Sequence, residues 1–140
     1  LHQRAGTREP LELHGSLLRS RSTRCGRYLA MAEVMTRPGT PPCCDCGGQL
    51  RPDVVWFGEA LPYDALARAD RAAAAADLFV VAGTSAEVYP AAGLIEVAAS
   101  AGAFVVEINP RTTPLSLLAN LRLAGSAAEE LPRLGRWIAP

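Results

Sequence analysis

The chain lacks lysine entirely. All 14 of its basic residues are arginine, they are balanced by 14 acidic residues, and the formal net charge is zero. A neutral balance gives no electrostatic reason to expect binding to nucleic acid or to an anionic membrane. No apolar run approaches the roughly 20 residues that a membrane span requires, and the N-terminal residues show no apolar segment of a secretory signal. We therefore expect a cytoplasmic protein that binds neither nucleic acid nor membrane.

Two further absences concern the organisation of the chain. It contains no G-x-G-x-x-G motif, which dinucleotide-binding folds normally carry in their first βα unit. It also begins with leucine rather than methionine. We interpret the chain as the C-terminal fragment of a longer protein, with only the later half of a nucleotide-binding sheet.

The four cysteines are concentrated in one short stretch, residues 25–46. In a cytosolic protein such a cluster indicates metal binding before it indicates disulfides. The surrounding segment, residues 21–52, is poor in large apolar side chains and rich in Arg, Pro, Gly and Cys. Because such a segment buries little apolar surface, we expect it to be a small insert that needs a metal to hold its shape.

The remainder shows an α/β pattern. Residues 78–82 (LFVVA) and 103–108 (AFVVEI) are short apolar runs of β-forming residues, typical of strands covered on both faces. Residues 90–101 between them predict a helix that Pro90 opens. Strand, helix and strand at this spacing predict a right-handed βαβ unit in a parallel sheet. Residues 62–76, with Asp64 as N-cap, predict a preceding helix.

Two weaker elements complete the expected fold, a short strand over residues 121–124 and a closing helix over 126–134. The predicted fold class is α/β, an incomplete Rossmann-like parallel sheet with a small cysteine-bearing, zinc-ribbon-like insert. In this division, residues 1–20 belong to the Rossmann-like domain, residues 21–52 form the insert, and residues 53–140 form the remainder of the Rossmann-like domain.

Several short motifs, each weak alone, occur in one order along residues 1–134. They are LHQRAG at 1–6, ELHGS at 12–16, CGGQLRP at 46–52, DVVWFGE at 53–59, GTS at 83–85, YPA at 89–91 and IN at 108–109. In this order and spacing they resemble the sirtuins, and in particular the bacterial branch whose motif reads VVWFGE. The resemblance implies an NAD-dependent protein-lysine deacylase.

In the sirtuin reaction the acyl-lysine oxygen attacks the ribose carbon that carries nicotinamide, and the acyl group is transferred to ADP-ribose. A histidine in the ELHG motif acts as general base on a ribose hydroxyl, and His14 matches that position. Imidazole suits this role because it exchanges protons near neutral pH. Without the motif, a lone histidine would be interpreted as a structural residue.

The resemblance also implies how an acyl-lysine protein or peptide binds. In the family the peptide lies as an added strand, a mode that recognises extended backbone and tolerates varied sequence. The matching residues here are Val55, Trp56, Phe57, Gly58 and Glu59. Val55 and Phe57 would line the tunnel for the lysine stem. The alternative is that residues 54–57 form only a buried strand or turn.

Candidate NAD-binding residues follow the predicted strands, where nucleotides bind in open α/β sheets. A small Gly-Thr-Ser turn lets a phosphate or ribose approach the backbone closely. The matching residues are Gly83, Thr84, Ser85, Asn109, Ser126 and Ala127. For each of them, the alternative is ordinary turn chemistry at a strand end.

The sequence departs from the sirtuin pattern at its start and in its metal site. The Thr-Gln-Asn-x-Asp segment and the Gly-Ala-Gly phosphate loop that precede LHxRAG in the family do not occur, so we expect no deacylase activity from this chain alone. The metal site has Cys43-x-x-Cys46, but Ser22 replaces the first cysteine of the pair that ends at Cys25. Structural zinc normally has four N or S ligands.

We therefore expect weakened zinc binding on Cys25, Cys43 and Cys46. Water or Cys44 would be the fourth ligand, although Cys44 neighbours Cys43 and would have to point the wrong way. The alternatives are no zinc, or a disulfide on oxidation. Three other functions stay open: a zinc-ribbon interaction module, a nicotinamide oxidoreductase fragment, and a non-catalytic truncated remnant. The first does not explain the βαβ pattern, and the second lacks its Gly-rich turn.

Overall fold

A computed structural model describes residues 2–138. The chain divides into two compact units, Leu1–Ala65 and Leu66–Pro140. The elements confirm the predicted α/β class. Within residues 2–138, the helices are too short or too polar to cross a bilayer.

The first unit contains a three-stranded antiparallel sheet. Its strands are β1 (Gly15–Ser22), β2 (Tyr28–Ala30) and β3 (Leu50–Val54), in the order β2-β1-β3. A 3-10 helix, Gln3–Ala5, precedes the sheet, and α1 (Met31–Val34) follows β2. A small core of Leu29, Val34, Cys44 and Leu50 packs between these elements. A core this small supplies little hydrophobic stabilisation, as expected for the cysteine-bearing segment.

The pairing of β1 with β3 is interrupted at one point. Gly15 pairs with Val54 at one end and Ser22 with Leu50 at the other, and the register shifts between Ser16 and Ser20. Such an irregularity bends a strand and increases its twist. The pairing brings the residues just before β1 beside the residues just after β3.

The second unit is built on a parallel sheet. Its strands are β4 (Leu78–Ala82), β5 (Phe104–Ile108) and β6 (Leu121–Leu123), in the order β4-β5-β6. Between β4 and β5 the chain forms α3 (Gly93–Ser100), so the predicted βαβ unit is confirmed. The chain also forms α2 (Tyr63–Ala74), a short 3-10 helix at Ser116–Leu118 and α4 (Ala127–Ile138).

The bounds of α3 differ from the prediction in one respect. Pro90 does not open the helix, which begins three residues later at Gly93. The carbonyl of Pro90 instead accepts a bond from the N–H of Gly93 at 3.1 Å, in a turn that precedes the helix.

β5 is covered on both faces. Val105 packs with Val81 and Ile95, whereas Val106 and Ile108 pack with Leu134 of α4. Alternate residues of a strand point to opposite faces, so these two groups are separate layers of core. β4 is less protected. Within residues 2–138 it pairs with β5 alone, and Leu78 and Val80 remain 38% and 37% exposed.

One buried carboxylate lies in β5. Glu107 accepts hydrogen bonds from Thr113 (2.6 Å), Ser116 (2.6 Å) and Arg122 (2.7 Å). Burial opposes the charged form, but these three bonds outweigh it and hold the pKa of Glu107 below its ordinary value. The network ties the centre of β5 to β6 and to the loop between them.

Candidate active site and cysteine cluster

His14 lies in a turn that leads directly into β1, and its side chain is exposed. The next residue, Gly15, has a φ of 76°, a conformation that L side chains rarely adopt. A Cβ at Gly15 would also collide with the carbonyl oxygen of Asp53 on β3. Glycine is therefore required after the histidine, because the two strands approach closely at this point.

A backbone hydrogen bond joins the histidine motif to the VVWFGE motif. The N–H of Val55 donates to the carbonyl oxygen of His14 at 3.1 Å. This bond extends the β1–β3 pairing by one step beyond Gly15 and Val54. His14 and Val55, which are 41 positions apart in the sequence, are thus adjacent in the first unit.

An ionic network supports the same junction. Arg19 of β1 pairs with Glu12 (2.6 Å) and with Asp53 of β3 (2.6 Å), and its guanidinium lies 5.6 Å from the centre of the Tyr28 ring. Glu12 belongs to the ELHG motif, so Arg19 ties the histidine turn to the neighbouring strand. Sequence reasoning missed this network, because its residues carry no spacing signal.

The segment after β3 is an exposed turn and not a buried strand. Trp56 is 59% exposed and Phe57 is 96% exposed. The N–H of Glu59 donates to the carbonyl of Trp56 at 2.9 Å, and the N–H of Trp56 donates to the Glu59 carboxylate at 3.0 Å. These reciprocal bonds close the turn, with Gly58 at a φ of 86°.

Arg51 of β3 contacts this turn at several points. Its two terminal nitrogens bind the two carboxylate oxygens of Glu59 at 2.5 and 3.0 Å, and its guanidinium lies 4.3 Å from the Trp56 ring centre. Hydrogen bonds from Arg51 and then from the N–H of Trp56 lower the pKa of Glu59 to about 2. Sequence reasoning missed Arg51 as well, because a charge pair eight positions apart on a strand and a turn follows no standard spacing.

The candidate NAD-binding residues lie in the second unit, after consecutive strands. Gly83, Thr84 and Ser85 follow β4 and are exposed, and Asn109 follows β5. The side-chain amide of Asn109 donates to the carbonyl of Thr84 at 2.7 Å, and its oxygen accepts from the N–H of Arg111 at 3.1 Å. Asn109 therefore connects the loops that follow β4 and β5.

Ser126 and Ala127 follow β6. Ala127 is the first residue of α4, and Ser126 caps it. The Ser126 hydroxyl accepts from the N–H of Glu129 at 3.3 Å, and the Glu129 carboxylate accepts from the N–H of Ser126 at 3.4 Å and from its hydroxyl at 2.8 Å. This is the arrangement of a capping box. The carboxyl ends of parallel strands meet at one edge of a sheet, which in open α/β folds is where nucleotides bind.

Three cysteines form a cluster in the first unit. The sulfur atoms of Cys25, Cys44 and Cys46 lie within 4.8 Å of one another. The Ser22 hydroxyl lies 3.3 Å from the Cys46 sulfur, and it also accepts from the N–H groups of Arg24 and Cys25 at 3.3 Å each. Hydrogen bonds from Ser22 and then from the backbone of Gly48 lower the pKa of Cys46 to about 6. The deprotonated thiol is the form that binds metal.

The composition of this cluster differs from the expected ligand set, which contained Cys43. The structure groups Cys44 with Cys25 and Cys46, whereas Cys43 is exposed and its backbone pairs with Gln49. Successive residues of an extended segment point to opposite sides. Because Cys44 packs into the core beside Leu29 and Leu50, it is Cys43 that points away.

The cluster could bind zinc. Three thiols are donors of the class that zinc prefers, and Ser22 takes the place where the resemblance expects a fourth cysteine. A hydroxyl is a weaker ligand than a thiolate. Such a site would use three sulfur ligands, with water or Ser22 in the fourth position.

Comparisons with known sequences agree on one family. The model of the Sir2 family matches residues 1–90. NAD-dependent protein deacylases of Mycolicibacterium paratuberculosis and Thermus thermophilus are each 51% identical to this chain, over 138 and 134 residues. Each alignment covers 96% of this chain, but 58% and 52% of those proteins. The chain thus spans little more than half the length of these curated relatives.

Solved structures give the same result. A Sir2 protein with a p53 peptide and NAD+ superposes with a TM-score of 0.91 at 35% identity, covering 98% of this chain and 58% of that one. A Sir2 homologue solved with NAD gives 0.88 at 46% identity, covering 99% and 54%. A Sir2 protein bound to a propionylated peptide gives 0.91 at 35% identity, covering 98% and 59%. On its motifs, its fold and these similarities, the chain belongs to the Sir2 family.

Proposed function

We propose that this chain contributes the catalytic histidine and part of the NAD-binding sheet to an NAD-dependent protein-lysine deacylase. The observation that carries the proposal is the hydrogen bond from Val55 to His14, which joins the proposed general base to the proposed peptide-binding segment. A deacylase requires these two functions side by side, because the acyl group must meet the ribose that the base activates. The named activities of the relatives support the same conclusion.

In this proposal His14 accepts a proton from a ribose hydroxyl. Its side chain is exposed, so it is accessible to a ligand. Its backbone carbonyl accepts from Val55, and the Glu12–Arg19 pair ties the preceding residues of the turn to β1. General-base catalysis of this kind typically contributes about 10²–10⁴-fold to the rate. The acyl-lysine peptide binds in an extended conformation against residues 55–59, with Val55 and Phe57 beside the lysine stem.

NAD supplies the ribose that receives the acyl group, and nicotinamide is released. The residues that would hold it follow the three parallel strands: Gly83, Thr84, Ser85, Asn109, Ser126 and Ala127. Exposed backbone around a positive-φ glycine, as at Gly83, permits close approach of a phosphate or ribose. Zinc on the cysteine cluster would have a structural role, because the first unit has so little core.

We further propose that residues 1–20 and 53–140 contribute to the nucleotide-binding domain and residues 21–52 to the zinc-bearing insert. The substrate would be an acyl-lysine protein or peptide in the cytoplasm, without a nucleic-acid or membrane partner.

The test is NAD-dependent deacylation of an acetyl-lysine peptide. We would compare this chain with a fusion in which the N-terminal portion of the Thermus thermophilus relative precedes it, each as wild type and as His14→Ala. We expect turnover in the fusion, abolished by His14→Ala. A folded fusion without turnover would favour a non-catalytic remnant, and turnover that survives His14→Ala would remove the histidine from the mechanism.

A further inference from the structure

The turn that presents Trp56 and Phe57 gains little stabilisation from burial. Phe57 is 96% exposed and Trp56 is 59% exposed. An apolar side chain in water contributes almost nothing to folding, so burial does not determine the conformation of this turn. What holds it is a set of polar contacts made by two residues outside the aromatic pair, Arg51 and Glu59.

Arg51 contacts the turn at three separate points. Its guanidinium binds both carboxylate oxygens of Glu59, donates to the carbonyl of Val54 at 2.8 Å, and stacks 4.3 Å from the Trp56 ring centre. A planar guanidinium can make a two-pronged carboxylate contact and a ring stack at once, whereas a lysine ammonium cannot. Arg51 therefore joins the last residue of β3 to the far end of the turn.

Glu59 completes the contact from the other side. Besides Arg51, its carboxylate accepts from the N–H of Trp56 at 3.0 Å, while its own N–H donates to the Trp56 carbonyl at 2.9 Å. The carboxylate thus receives three donors and fixes the backbone on both sides of Phe57 and Gly58. In residues 2–138 the Arg51 Nε is buried without a hydrogen-bond partner. The other contacts of the guanidinium must offset that cost of roughly 1–3 kcal/mol.

We propose that Arg51 and Glu59 are positioning residues that preorganise the 56–58 turn for the acyl-lysine peptide. This inference rests on the proposed function. It adds that the acyl-lysine peptide contacts the exposed aromatic side chains of the turn. A turn that is already ordered loses less conformational entropy on binding, so the contact gains affinity. Because His14 is held by other contacts, with Val55 and through Glu12 and Arg19, loosening the turn affects peptide binding and not the proton transfer.

The kinetic test uses the fusion protein and the acetyl-lysine peptide. Arg51→Ala and Glu59→Ala are each expected to raise KM for the peptide about tenfold, as loss of about 1.4 kcal/mol of binding would, with kcat within about twofold. Arg51→Lys retains the positive charge but cannot make the bidentate contact with Glu59 or stack on the Trp56 ring. It should therefore recover only part of the affinity for the peptide. The matched control is Arg27→Ala, which removes an arginine whose ion pair is with Asp45, and it should leave KM unchanged.

A second measurement follows the turn without any substrate. In the 140-residue chain carrying Trp137→Phe, Trp56 is the remaining tryptophan, and its quenching by acrylamide reports its accessibility. Arg51→Ala should increase quenching, and Arg27→Ala should not.

The two measurements separate the outcomes. Unchanged KM in Arg51→Ala, in a fusion that turns over, overturns the positioning role and leaves the proposed function standing. Equal losses of kcat in all variants also overturn it, because they indicate general structural damage. A fusion that neither turns over nor binds the peptide overturns the proposed function and this inference with it, even where the quenching difference is present.

Discussion

The carbonyl oxygen of His14 and the N–H of Val55 lie 3.1 Å apart in a hydrogen bond that continues the pairing of β1 with β3. The close approach of the two strands explains why the residue after His14 is a glycine. Any side chain at Gly15 would occupy the place of the Asp53 carbonyl. The position of the histidine therefore depends on a residue that has no side chain.

The first prediction concerns that glycine. Gly15→Ala combines a positive φ with a collision against backbone, whereas Gly26→Ala has a positive φ of 71° and open space around it. We expect Gly26→Ala to lower the free energy of unfolding by about 1–2 kcal/mol, and Gly15→Ala to lower it by about 1–3 kcal/mol more. Urea unfolding followed by Trp56 fluorescence, with Trp137→Phe, measures both. Equal losses would show that β1 and β3 are not so close at this point.

The second prediction separates two neighbouring cysteines. Cys44→Ser should lose zinc, because Cys44 lies in the cluster with Cys25 and Cys46, and Cys43→Ser should retain it. Ser22→Cys should bind zinc more tightly, since it supplies a fourth thiolate. Zinc per chain after dialysis and the absorption of the Co²⁺ form measure these differences. If Cys43→Ser loses the metal and Cys44→Ser retains it, the ligands are Cys25, Cys43 and Cys46, as the sequence spacing indicated.

The third prediction compares two asparagines at opposite ends of the parallel strands. Asn109 follows β5 and bonds to Thr84, whereas Asn120 precedes β6 and accepts from the N–H of Val105 at 2.7 Å. Asn109→Ala in the fusion should weaken NAD binding about tenfold. Asn120→Ala should cost about 1 kcal/mol of stability and leave the affinity unchanged. Calorimetric titration of each fusion with NAD measures these affinities. If Asn109→Ala binds NAD as tightly as the wild type does, Asn109 is not part of the nucleotide site.

The fourth prediction is a pH dependence. Contacts with Arg51 and Trp56 lower the pKa of Glu59 from 4.5 to about 2 in the folded chain. A lowered carboxyl pKa stabilises the fold fully above pH 4.5, and this contribution disappears as the pH falls towards 2. Wild type should therefore exceed Glu59→Gln in stability at pH 6, with the difference shrinking by pH 3. A difference that is constant with pH would mean that the charge of Glu59 contributes nothing.

The sequence predicted the parallel sheet because its strands are continuous apolar runs. Residues 78–82 match β4 and residues 103–108 contain β5, with Val105, Val106 and Ile108 buried as a two-sided strand requires. The antiparallel sheet of the first unit was missed. The sequence of β1, GSLLRSRS, does not alternate apolar and polar residues as a half-buried strand normally does. Its two leucines, Leu17 and Leu18, are adjacent and exposed at the register shift.

Sequence motifs predicted where the candidate sites lie, but they did not predict which side chains contact one another there. Spacing indicated Cys43, but the direction of a side chain in an extended segment depends on its register, and Cys44 faces the cluster. The contact of Arg19 with Asp53 depends on strand pairing across 34 positions, and the contact of Arg51 with Glu59 depends on a turn that folds back over 8 positions. Ion pairs of this kind follow no sequence period, so only the three-dimensional structure could reveal them.

The free side of β4 has a practical consequence for all of these experiments. In the described part of the chain this strand is apolar throughout and bonded along one side only, with Leu78 and Val80 partly exposed. Such an edge is a template on which a second molecule can add a strand. Copies of the 140-residue chain should therefore associate as concentration rises, and light scattering should show this. Dilute samples should therefore favour the monodisperse chain.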